Sequence, residues 1–82
     1  MTREYFKVRL SKLIIETQGA EVLDLRAGRA PYDTREDLAI FAIDELDEAY
    51  DFVKGREEWY VDIYVNFKDS AHYTGITLAS WD

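Results

Sequence analysis

The segment "DELDEAYDFVKGREE", residues 44–58, carries seven carboxylates opposed only by Lys54 and Arg56. Carboxylates at this density could do one of three things. They could hold a hard cation, but calcium and magnesium want oxygens converging from several directions, and no stretch has the spacing of an EF-hand loop. They could work as a hydrolytic pair, which needs two carboxyls facing each other across a cleft. Or they could meet positive charge on a partner. Asp44 and Glu48 are four apart, as are Asp47 and Asp51. On a helix such neighbours lie about 5–6 Å apart and repel by a few tenths of a kcal/mol. That spacing is not far from that of phosphates along a nucleic-acid strand, so a row of this kind suits an arginine-lined groove. The plain alternative is a solvated face on an acidic protein.

Other reactive groups are few. The chain has no cysteine, which removes thiolate, disulfide and cysteine–metal chemistry. His72, the single histidine, stands beside Asp69 and Ser70 in a turn signal. Adjacency in a turn is not triad geometry, so it reads as an exposed turn residue. The glycines are isolated and form no phosphate-cradling loop. We therefore expect no catalytic residue, no metal ligand and no cofactor. Arg26, Arg29 and Arg35, around the loop-like "GRAPYDTR", could contact a partner, but are expected rather to pair with the helix carboxylates.

The net charge of −7 is unevenly placed. Residues 1–29 hold six basic and four acidic groups, a net of +2, whereas residues 33–62 hold eleven acidic against three basic, a net of −8. An acidic surface repels a nucleic-acid duplex, so direct nucleic-acid binding is not expected, while a basic protein partner is. No apolar run approaches the ~18 residues of a membrane span. The charged start "MTREYFKVRL" lacks the apolar core of a signal peptide. Together these predict a cytoplasmic protein with no membrane association, in the host cytoplasm if it is virus-encoded.

The elements that position these groups follow from periodicity. In "WYVDIYVNF", Trp59, Val61, Ile63, Val65 and Phe67 alternate with polar or amphipathic residues, a half-buried strand. "YTGITLASW" returns as its partner, with Ile63 facing Ile76, Val65 facing Thr74 and Tyr64 facing Gly75; a slip of one residue wastes apolar surface. Near the N-terminus, Phe6, Val8 and Leu10 alternate with Lys7 and Arg9, and a bulge at Ser11-Lys12 precedes Leu13 and Ile15. "TQGA" supplies a turn and "EVLDLRAG" the returning strand. A helix over residues 4–17 is the competing reading, set second because its apolar positions scatter around the helical wheel. Residues 34–54 read as one amphipathic helix with Thr34 as N-cap, Lys54 in its last turn and Gly55 as C-cap. Ile40 falls on its acidic side. The rival reading makes "DLAIFAI" a strand followed by a shorter helix capped by Asp44.

The expected fold is thus α+β: an antiparallel sheet of about four strands with one amphipathic helix on one face, in the order β-β-α-β-β, forming a single compact domain over residues 1–82. A chain of this size has a marginal core, so most of its large apolar residues must pack. One helix leaves the other sheet face bare, carrying Tyr60, Tyr64, Tyr73 and Trp81. Exposed aromatics mark an interface unless loops cover them.

In size, lack of cysteine, compact α/β plan and the run "DELDEAYDFVKGREE", the chain resembles the small acidic anti-defence inhibitors of bacteriophages, such as anti-CRISPR proteins. That resemblance implies a non-enzymatic inhibitor that blocks the nucleic-acid site of a nucleic-acid-handling protein or complex. The partner-binding residues would be Asp44, Asp47, Glu48, Asp51, Glu57 and Glu58, with Tyr60, Tyr64 and Trp81 as the aromatic set. The alternative is a structural or assembly module that forms a homodimer through the aromatic sheet face.

Overall fold

The computed structural model describes residues 1–30, 32 and 34–67, and the backbone of 73–77. The element order is α1 (Arg3–Glu16), β1 (Val22–Gly28), β2 (Asp37–Ala42), α2 (Leu46–Lys54), β3 (Tyr60–Asn66) and β4 (Tyr73–Thr77). The class is α+β with an antiparallel sheet. The expected β-β-α-β-β order is corrected to α-β-β-α-β-β: the first expected strand is a helix, and the expected long helix is a strand followed by a short helix.

The first correction has a packing cause. Phe6, Leu10, Leu13 and Ile14 stand at the i, i+4, i+7, i+8 spacing of a helical stripe. Phe6 and Leu10 are fully buried, and Leu13 and Ile14 pack partly against the core. Val8 and Ile15, 53% and 75% exposed, sit off the stripe and imitate strand alternation. Thr2 caps the helix by accepting a hydrogen bond from the Tyr5 amide at 3.2 Å. At the other end Ala20 donates to the Thr17 carbonyl, and Gly19 takes a left-handed φ of 85° that a side chain would resist. The expected turn at "TQGA" is therefore where the chain reverses.

The second correction comes from pairing. β1 is flanked on both sides: Leu23 opposes Phe41 of β2 and Val65 of β3, and Leu25 opposes Ala39 and Ile63. β2 supplies a full edge to β1, and this pairing outweighs the helical pattern of residues 37–43. Because Leu38 and Ile40 are apolar and outward, β2 lacks the polar alternation that marks a strand. Its chain turns at Ile43-Asp44, where the Glu45 amide donates to the Ala42 carbonyl at 3.0 Å. The N-cap position of α2 is Glu45, not Asp44. Lys54 does close the last turn and Gly55 follows as C-cap.

The sheet order is β2-β1-β3-β4. In the β3–β4 pair, Ile63 opposes Ile76, Tyr64 opposes Gly75 and Val65 opposes Thr74, the register expected from the sequence. The further pairs expected at residues 72, 78 and 79 lie outside the described residues. One sheet face, built from Leu23, Leu25, Ala27, Val61, Ile63 and Val65, is buried against Phe6 and Leu10 of α1 and Ala49, Tyr50 and Val53 of α2. Two helices, rather than the single helix expected, share this core. Full burial of each Phe, Leu, Ile or Val side chain here stabilises the fold by about 1.5–3 kcal/mol.

Candidate functional site

α1 and α2 contact each other along the seam where opposite charges meet. Arg3 donates from Nη1 to the Asp47 carboxylate and from Nη2 to the Asp51 carboxylate, each at 3.0 Å. Lys7 reaches Asp47 at 3.5 Å. The Arg3 guanidinium also lies 4.6 Å from the centre of the Tyr50 ring, which packs edge-on against Phe6 with centroids 5.6 Å apart. Hydrogen bonds from Arg3 hold the Asp47 carboxyl below its ordinary value of 3.8, with the Lys7 charge acting the same way. The same bonds raise Arg3. Two of the expected partner-binding acids, Asp47 and Asp51, thus carry internal cationic partners.

The remaining acids stand differently. Asp44 lies in the β2–α2 turn, Glu48 on α2, and Glu57 and Glu58 in the turns between α2 and β3. All are exposed, and none makes an ion pair among the described residues. Asp44 and Glu48 are not a helical pair, because Asp44 precedes the helix. Asp47 and Asp51 are such a pair, and Arg3 bridges them. The acids therefore form a discontinuous set around α2 rather than one row along a long helix. Glu45, which the sequence reading had not singled out, accepts the Ala42 amide on Oε1 at 2.8 Å and ties the helix start back to the strand.

Contrary to the expectation, the loop arginines do not pair with the helix carboxylates. Arg26 pairs with Asp24 at 2.9 Å, two residues away on the same strand face, and lies 4.9 Å from the Tyr64 ring centre. Arg35 pairs with Asp62 at 3.1 Å and donates to the Ala30 carbonyl. Arg29 stacks over Trp59. The long-range pairs join residues far apart in sequence, which is why no local pattern announced them. Arg56 completes the set by bonding Asp37 at 2.9 Å and covering the Phe52 ring at 3.9 Å.

The outer sheet face is mixed rather than aromatic. Tyr60 is exposed and Tyr64 half-buried, but Asp24, Arg26 and Asp62 occupy the middle of the face. Trp81 and His72 lie outside the described residues; Tyr73 pairs with Asn66 through the backbone. Among the described residues no group of three or more acids or histidines is placed to hold a metal. A depression of about 230 Å³ lies beside Arg9, Lys12, Leu13 and Glu16, all on one helix. Among the described residues no helix is long and apolar enough to cross a membrane. The chain matches no protein-family model, no curated protein and no solved structure.

Proposed function

We propose that the protein is a non-enzymatic inhibitor that docks exposed carboxylates into a basic, nucleic-acid-binding surface of a protein partner, in the manner of anti-CRISPR and similar anti-defence proteins. The observation that supports this reading is the separation of the acids into two groups. Asp47 and Asp51 are engaged by Arg3 across the α1–α2 seam. Asp44, Glu48, Glu57 and Glu58 stay exposed on the same helix and its flanking turns, and they are the contact set. Asp47 and Asp51 add negative potential behind them. An acidic surface of this kind speeds encounter with a basic partner and loses its pull as salt screens it.

The test uses the protein as bait at low and high salt, beside a variant with Asp44→Lys, Glu48→Lys and Glu57→Lys. None of these three side chains makes an ion pair among the described residues, so the fold should survive. The expected result is a nucleic-acid-binding protein retained by the wild type, lost from the variant, released by salt and displaced by its own nucleic acid. Equal retention by the folded variant, or retention indifferent to salt, rejects the proposal.

A further inference from the structure

β2 is an outer strand of the sheet, and it lacks the usual protection of an edge. Natural edge strands are blunted by lysine, proline, a bulge or an inward charge. From Leu38 to Ile43 there is no charged residue and no proline. Leu38 and Ile40, on the outer face of the sheet, are 63% and 70% exposed. The charge of Asp37 at the start of the strand is taken up by Arg56.

The backbone of this edge has a defined pattern. Ala42 turns both its amide and its carbonyl to Glu45, at 2.8 Å and 3.0 Å. Amide groups alternate sides along an antiparallel strand. Leu38 and Ile40 therefore present their N–H and C=O on the same open side as Ala42. The Glu36 amide, at the other end, is bonded to the Ala27 carbonyl. Both ends of the edge are thus closed, and the open groups between them belong to Leu38 and Ile40.

We propose that this edge pairs with β2 of a second copy of the chain, antiparallel, about a two-fold axis at Ala39. In that register Leu38 of one copy faces Ile40 of the other, and each such pair exchanges both of its N–H···O bonds. The two-fold repeats the pair, so the sheet runs continuously through the dimer. Ala39 faces its own copy across the axis as a non-hydrogen-bonded pair, where a small side chain suits the close approach of about 4.5 Å between Cα atoms. Leu38 and Ile40 cover each other on the outer face. The register centred one residue later, on Ile40, sets Glu36 against Asp44 and asks for the Ala42 amide that Glu45 already holds. A second copy is the favoured occupant because the meeting surface is self-complementary and free of charge, although each chain carries −7. One paired edge is a small interface, at or below about 1,200 Å², so the dimer is a weak one, micromolar or weaker.

The dimer does not depend on the acidic-docking reading, and its salt dependence has the opposite sign. Screening removes repulsion between two like-charged copies, so association should tighten with salt. Sedimentation equilibrium from about 1 µM to 1 mM measures it. The wild type is expected to dimerise, more completely at high salt, and Ile40→Lys to stay monomeric with an unchanged circular dichroism spectrum. Because the chain has no native cysteine, register can be read separately. Under oxidation Ala39→Cys should cross-link two copies, since the facing Cα atoms fall within about 4.4–6.8 Å, and Ile40→Cys should not. A monomer at every concentration, a dimer that Ile40→Lys leaves intact, or dimerisation weakened by salt overturns the proposal. Cross-linking at position 40 in place of 39 overturns its register.

Discussion

Arg3 joins the two helices by a fork of hydrogen bonds, and its effect is best seen in the titration of its partner. The Asp47 carboxyl is depressed by the Arg3 bonds and by Lys7. A depressed carboxyl contributes stability above its ordinary value of 3.8, and that contribution disappears as pH falls through the lower folded value. An NMR titration of the Asp47 side chain should therefore find a value below the ordinary one in the wild type and one closer to it in Arg3→Met. An Asp47 midpoint that Arg3→Met leaves in place rejects the assignment. Since these groups are exposed, the fork itself should matter little to overall stability. The Arg35–Asp62 pair differs in burial, with side chains only 17% and 19% exposed. Replacing Asp62 with alanine removes the charge-assisted hydrogen bond from Arg35 in a partly dry site, a loss of about 1.5–3 kcal/mol. Urea denaturation of Asp62→Ala and Asp47→Ala side by side should show the first as clearly the more destabilising.

At the scale of elements, α1 owes its place to two residues. Phe6 and Leu10 are fully buried and put the helix on the sheet. Phe6→Ala should cost about 3–5 kcal/mol, a large part of the roughly 5–15 kcal/mol that holds an ordinary domain together. Ile15→Ala, at a position 75% exposed, should be close to neutral. Equal losses in thermal melts would mean that the wrong face of α1 has been assigned to the core. The reversal after α1 has its own test. A Cβ on Gly19 would approach the Phe67 ring to 3.2 Å at a φ that side chains resist, so Gly19→Ala should destabilise by about 1–2 kcal/mol. The turn itself was legible in "TQGA". The helix before it was legible only as the competing reading, because Val8 and Ile15 dilute the stripe. β2 was likewise legible only as the rival reading, for the converse reason: apolar residues on both its faces erase the alternation, and its pairing with β1 decides its state.

For the whole molecule the governing quantity is the distribution of charge. The acids of residues 44–58 lie close together, and only Asp47 and Asp51 among them carry internal cationic partners in the described residues. Glu45 accepts the Ala42 amide and Glu48 suits the first turn of α2, but seven carboxylates against Lys54 and Arg56 leave the run as a whole self-repelling. Changing Asp44, Glu48 and Glu57 to lysine should therefore leave the melting temperature unchanged or raise it by a few degrees at low salt, and the gain should fade as salt screens the charges. A marked drop in melting temperature would show that these side chains hold the fold together.

By itself the sequence determined the α+β class, the β3–β4 register and the helix end at Lys54-Gly55. Each rests on neighbours in the chain: strict alternation over "WYVDIYVNF", a small set of registers that keep apolar residues together, and a glycine placed after a lysine. The acidic run was equally plain, since charge is additive along a chain. Tertiary structure alone decided the state of α1 and β2, the two-helix layer, and which acids are engaged. Those outcomes depend on groups distant in sequence: Phe6 meeting Tyr50, β1 pairing with β2, Arg3 reaching Asp47 and Asp51, and Arg35 reaching Asp62. Local pattern sets which faces a segment can offer, and long-range packing selects the face that is buried.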